Sequence, residues 1–230
     1  MQSNTTVRCG ISGNWTQVAN IDLTNSSQSC PTGLSMVTYG SLRLCVATTN
    51  SGCSSVTFST SGTQYSAVCG RIIAYQDRGV EAFEPYYENR ALTIDSAYVE
   101  GVILTYGTSP RMHIWTFAAA LDETSGYFQE KCPCSNVDLT STAPIPPWVG
   151  NDYFCDSGTR NVNSDWNRFH PEDPLWDGMG CGPSSTCCSL NSPPWFLKRL
   201  SSPTTNNIEM RVCARTNDET PIQMVELYIM

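Results

Sequence analysis

Twelve cysteines limit what this chain can fold into more than any other feature, because of where they stand. Five of them (Cys9, Cys30, Cys45, Cys53, Cys69) precede residue 100, and seven (Cys132, Cys134, Cys155, Cys181, Cys187, Cys188, Cys213) follow it. If all pair, the odd split forces at least one bridge between the halves, which favours one domain over two. Relaxed disulfides hold their Cα atoms about 4.4–6.8 Å apart with a torsion near about 90°. A bridge between adjacent Cys187 and Cys188, or from Cys132 to Cys134 across Pro133, would be strained, so each of the four is expected to reach a distant partner. The stretch "GCGPSSTCC" then becomes a covalent hub, and the "PPWF" that follows offers it aromatic cover. A zinc site built from "CPC" and "CC" is the competing reading, but C-x₂-C spacing is missing and secretion disfavours free thiolates.

The even cysteine count fits an oxidising, extracellular setting. So do the scarcity of lysine (Lys131 and Lys198) and three glycosylation sequons at Asn4, Asn14 and Asn25. Clustering of the sequons in the first 25 residues suggests a glycosylated arm. No positively charged, apolar leader opens the chain, so the expected form is a mature, secreted one. No run approaches the roughly 18 apolar residues of a spanning helix. The formal net charge of −8 opposes passive binding to DNA or anionic lipid. An acidic enzyme can still reach phosphates through bound divalent cations, which reverse the local field.

At 230 residues the chain can bury a sizeable core, which the cysteines supplement rather than replace. Residues 1–30 are rich in Ser, Thr and Asn with a weak hydrophobic pattern, and predict an irregular stapled arm. "LSMVTYGSLRLCVATT" alternates apolar and polar residues around Gly40, the pattern of a hairpin. "SSVTFSTSG", "YSAVCGRIIAYQ", "AYVEGVILTYG" and "RMHIWTF" continue at similar spacing. Residues 132–207 are rich in Pro, Gly, Asn, Asp, Trp and Cys and predict stapled loops. Two strands close the chain: "IEMRVCA", with Ile208, Met210 and Val212 on one face, and "MVELYIM". Helix is predicted only as a turn or two, at Glu81 to Tyr87 and at Pro194 to Leu200, where Pro194 suits a first helical position. The expected fold is all-β: a single disulfide-rich antiparallel sandwich or barrel-like domain with long stapled loops. Residues 1–60 would supply an arm and first hairpin to the same fold as the cysteine-rich β domain of residues 61–230.

The candidates for chemistry are few. The histidines are His113 in "SPRMHIWTF" and His170 in "RFHPED". Strand alternation places Arg111 on the face of His113, a pairing suited to a phosphate or carboxylate site, with arginine as planar clamp and histidine as acid or base. An exposed strand face is the alternative. Between residues 151 and 177 lie Asp152, Asp156, Asp165, Glu172, Asp173 and Asp177. Flexible oxygen-rich loops of this kind can hold Ca²⁺ or Mg²⁺, with Asp152, Asp156, Asp173 and Asp177 as the candidate ligands. Solvated acidic turns are the other reading. Aromatics from Trp115 and Trp148 to Trp195 and Phe196 flank these loops, as packing or as a carbohydrate-binding face. No G-x-S-x-G elbow, P-loop or dinucleotide fingerprint occurs, so no organic cofactor is implied.

From Tyr65 onward the chain resembles a family of secreted, cysteine-rich domains from marine invertebrates, mainly sponges and cnidarians. The motifs that carry the likeness include "AYVEGVILTYGTSPRMHIWTFAAAL", "VGNDYFCDSG", "DPLWDGMGCGPSSTCC", "NSPPWFLKRL" and "DETPIQMVELYI". Asn206 and Asn207 stand where the family usually carries an acidic pair, and Met112 where glutamine is usual. Some sponge members are associated with cytotoxicity and DNA degradation. The resemblance therefore implies a toxin-like, metal-assisted phosphodiesterase, with His113 as base, Arg111 as phosphate clamp and loop aspartates as ligands. Two other classes share the same surface: a self-assembling matrix or skeletal protein, and a Ca²⁺-dependent glycan-binding module.

Overall fold

The computed structural model describes residues 9–10, 12–49, 52–75, 94–95, 101–119, 148–149, 152–156, 195–214 and 220–230; at 118–119, 153–156 and 214 it describes the backbone alone. These residues form eleven strands and no helix. They are β1 (Thr16–Asp22), β2 (Leu34–Tyr39), β3 (Leu42–Ala47), β4 (Gly52–Phe58), β5 (Tyr65–Ala74) and β6 (Gly101–Tyr106). β7 (Met112–Ala119), β8 (Tyr153–Asp156), β9 (Phe196–Thr204), β10 (Ile208–Ala214) and β11 (Ile222–Ile229) follow. One sheet runs β2-β3-β11-β5-β9 with β1 also paired to β11, and the other runs β4-β10-β6-β7-β8. Every pairing is antiparallel except β7 with β8.

Period-two alternation assigns the faces. Val225, Leu227 and Ile229 of β11 join Ile208, Met210 and Val212 of β10 in one buried apolar cluster, to which strands of both sheets contribute. The remaining residues of those strands, such as Glu226, Tyr228, Glu209 and Arg211, fall on the outer faces. On the first sheet's outer face Arg71 pairs with Glu226 directly across the β5/β11 ladder, at 2.5 Å, and lies 5.1 Å over the Trp195 ring. On the core face of β5, Gly70 lets β11 and Phe196 pack closely, because a Cβ there would sit 2.5 Å from the Glu226 carbonyl oxygen and 2.5 Å from Leu227 Cδ2. The β2/β3 hairpin turns at Gly40, whose φ of +58° is readily adopted only without a Cβ.

Two expectations need correction. Residues 1–30 are not wholly irregular: Thr16–Asp22 is β1, paired along β11 from Ile229 to Met224. Its apolar signal is weak because one face of it lies against solvent. Residues 196–200 are strand, not helix, since β9 pairs with β5 from Gly70↔Phe196 to Tyr65↔Thr204. A proline ahead of a mixed apolar and charged run fits either state, and the pairing decides. β9 is an edge strand, so Pro203 within it leaves no ladder bond unmade on its open side. The other predicted helix, 81–87, lies outside the described residues, as does most of the loop-rich stretch 132–207 before residue 195.

Three disulfides are described. Cys53–Cys213 joins facing positions of β4 and β10 and is the required bridge between the halves of the chain. Cys30–Cys45 fastens the β1/β2 connection to β3. Arg43 reinforces that connection by donating to the carbonyls of Asn25 and Gln28. Cys9–Cys69 ties the amino-terminal segment to β5, in a second buried cluster with Trp15 and Tyr228.

These bridges use all five upstream cysteines. Full oxidation then requires Cys132, Cys134, Cys155, Cys181, Cys187 and Cys188 to pair among themselves. Peptide mapping without reduction is expected to find the three bridges above and none linking residues 9–69 to residues 132–188. A single cross-link of that kind would refute the pairing.

Candidate functional site

β7 carries an irregularity that builds the site. Leu104 faces Trp115 across the β6/β7 ladder, but Thr105 faces His113, so Ile114 is an extra residue in β7. The bulge brings His113 and Thr116 together, with His113 Nε2 2.8 Å from the Thr116 hydroxyl. The Thr116 amide donates to the Asp152 carbonyl at 3.1 Å, which holds the entry to β8 beside them.

β9 supplies the opposite wall. Lys198 faces Val68 across the β5/β9 ladder and so projects from the core face of its sheet at the sheet's edge. A charge at such a position needs a partner, and the Asp152 carboxylate accepts a hydrogen bond from the Lys198 ammonium. Two residues earlier, Phe196 stacks on Trp115 of β7 with ring centroids 4.5 Å apart and planes 15° from parallel. Between β7 and β9 lies a cleft of about 470 Å³, lined among others by Tyr106, Arg111, His113, Trp148, Lys198 and Arg199.

Among the described residues, the charged side chains lining this cleft are all cationic: Arg111, Lys198 and Arg199. Arg111 is fixed by two carboxylates, donating from Nε to Asp95 at 2.7 Å and from Nη1 to Glu209 at 2.6 Å. Hydrogen bonds from Arg111 and then Ser109 hold the Asp95 carboxyl below its usual range. Burial works against Glu209, yet hydrogen bonds from Arg111 and Ser55 pull it below the usual range too. Arg111 therefore belongs first to a structural ion-pair network, and a ligand phosphate would share it with two anions. Arg199 is exposed and makes no ion pair among the described residues.

Burial pushes the His113 pKa down to about 4, against the pull of the Asp152 carboxylate and with the help of the Lys198 charge. At neutral pH the imidazole is uncharged. It meets the Trp148 ring edge to face at 5.5 Å. His113 Nδ1 and Trp148 Nε1 are both buried without a hydrogen-bond partner among the described residues. A neutral imidazole can accept a proton, but a conjugate acid of pKa near 4 makes it a weak base at pH 7.

Of the residues singled out from sequence, the fold brings His113, Arg111 and Asp152 to one place. Asp152 lies there as the counter-ion of Lys198. Asp156 is on β8 with its backbone alone described, and Asp173, Asp177, His170 and Asn4 lie outside the described residues. Among the described residues no three His, Cys, Asp or Glu side chains gather to hold a metal ion. Asn14 and Asn25 are exposed, and the Asn25 side chain accepts from the amide and hydroxyl of Ser27. The sequence reading missed Lys198, Arg199 and Thr116. Lys198 was flagged only as one of two lysines, and taking residues 194–200 as helix concealed the alternation that turns it inward. Comparison of the chain with protein families, with curated proteins and with solved structures finds no match.

The depressed histidine makes stability depend on pH. Unfolded, His113 titrates near 6.5; folded, near 4. Between those values the unfolded state binds the extra proton, so stability falls as pH drops through this window, by about 3 kcal/mol in all. Asp95 and Glu209 add their losses mostly below pH 4.5. Urea unfolding at pH 7, 5.5 and 4 should show this decline in the native chain and a flatter one in His113→Asn. Equal slopes in the two proteins would contradict the burial of a neutral His113.

Proposed function

We propose that this chain is a secreted binding protein that takes a small organic anion into the cleft between β7 and β9. One observation carries the reading: in a chain of net charge −8, the charged side chains that line this cleft among the described residues are all positive. Asp95, Glu209 and Asp152 offset the charges of Arg111 and Lys198, so what draws an anion here is Arg199, which has no described counter-ion, together with the fixed N–H donors of the paired cations. The volume, about 470 Å³, falls in the range of roughly 300–1,000 Å³ typical of small-molecule sites. Tyr106, Met112 and Leu200 give the walls an apolar part, which suits a ligand with a carbon body behind its charge. The disulfides and the exposed sequons at Asn14 and Asn25 support the extracellular compartment.

Calorimetric titration with aryl carboxylates, aryl sulfates and nucleoside phosphates tests this. Binding is expected to weaken with added salt, and Lys198→Met or Arg199→Met should each reduce affinity about tenfold, the size of one charge-assisted hydrogen bond. No binding across the panel, or unchanged affinity in the double variant, would reject the reading.

A toxin-like, metal-assisted phosphodiesterase is the second reading, favoured by the uncharged His113 with its unpartnered Nδ1 in the same cation-lined cleft. Supercoiled plasmid incubated with Mg²⁺ or Ca²⁺, with and without chelator, separates the two. Hydrolysis predicts chelator-sensitive nicking that His113→Ala abolishes, and binding alone predicts intact plasmid throughout.

A further inference from the structure

The binding reading leaves two ring nitrogens unassigned, and the inference drawn from them rests on it. Thr116 is fully buried, and its hydroxyl makes its one described hydrogen bond with His113 Nε2. A buried hydroxyl carries one proton that needs an acceptor. If Nε2 carried the imidazole proton and donated to the hydroxyl, the hydroxyl proton and the Nδ1 lone pair would both be stranded. If the hydroxyl donates to Nε2, its proton is satisfied and the ring proton resides on Nδ1. The second arrangement leaves fewer buried groups unmet.

Nδ1–H of His113 then joins the indole N–H of Trp148, which is always a donor. The rings lie 5.5 Å apart, both line the cleft, and neither nitrogen has an acceptor among the described residues. Asp152, the carboxylate whose charge acts on His113, is engaged by Lys198. Two buried donors on rings 5.5 Å apart, at a cleft whose described charges are cationic, call for a partner that only accepts. We propose that His113, in its Nδ1–H tautomer, and Trp148 form a two-donor cradle for one oxyanion group of the ligand, a carboxylate, sulfate or phosphate. Arg199 supplies the attraction, the ammonium of the Lys198–Asp152 pair supplies further donors, and the two ring N–H groups supply orientation and selection against cations and neutral amines.

Nitrogen-15 NMR on the intact, oxidised protein tests this with benzoate, phenyl sulfate and phenyl phosphate as separate probes. In the free protein the His113 ring is expected to show protonated Nδ1 and bare Nε2 at pH 7. At least one probe should shift the Trp148 indole N–H and the His113 Nδ1–H signals together, along one saturation curve, and the probe that does so identifies the oxyanion. Trp148→Phe, which keeps the ring and removes the donor, should weaken that probe at least fivefold without changing the His113 tautomer. An Nε2–H tautomer in the free protein overturns the proposal. So does a probe that binds, loses affinity in Lys198→Met, and leaves both N–H signals unmoved; that result would preserve the cleft reading. Absence of binding by all three probes would reject both.

Discussion

Pairing along both edges of Ile222–Ile229 is the constraint on which the rest of this structure depends. β5 follows one edge for almost its full length, and β1 and the end of β3 share the other. A strand buried in this way must satisfy every backbone amide and carbonyl with a neighbour, so the carboxy-terminal residues fix the placement of three segments from the first third of the chain. The cysteines reinforce the same arrangement. Cys69 of β5 and Cys45 of β3 each carry a bridge to a segment with little apolar surface of its own. Those segments are held by sulfur where burial alone would hold them weakly.

The cleft follows from what this pairing leaves undone. β9 pairs with β5 on one side and ends the sheet on the other. β7 approaches that open edge from the opposite sheet, and the Trp115–Phe196 stack closes the gap at one point. Beside the stack lies the cleft, whose described lining mixes apolar side chains such as Tyr106, Met112 and Leu200 with the cations Arg111, Lys198 and Arg199. Lys198 and Asp152 neutralise each other, as Arg111 does with Asp95 and Glu209, so the cations are positioned before any ligand arrives. Such preorganisation lowers the cost of ordering side chains on binding. It also explains how positive side chains persist at a partly buried edge, where isolated charges would be expensive.

Much of the frame was legible in the sequence because strand patterning is a local signal. The alternation in "IEMRVCA" and "MVELYIM", and the glycine-centred hairpin at residues 34–47, identified strands that the structure contains. Cysteine parity anticipated a bridge between the halves, and Cys53–Cys213 is one. β1 was not legible, since its stability comes from β11 some two hundred residues away and its own pattern is faint. β9 was misassigned for a related reason: its edge pairing, not its propensity, makes it a strand.

Residue type and short-range pattern by themselves determined the all-β class, the cysteine framework and the candidacy of His113 and Arg111, since each is a local signal in the chain. Only the tertiary structure decided what those candidates face. The β-bulge at Ile114 sets His113 against Thr116, and the inter-sheet approach of β7 to β9 surrounds it with Trp148, Asp152 and Lys198. A side chain's chemistry is set by its desolvation and its neighbours, and neither is encoded within a few residues along the chain. That is why a histidine that the sequence presents as a base is, once folded, an uncharged ring between a hydroxyl and an indole.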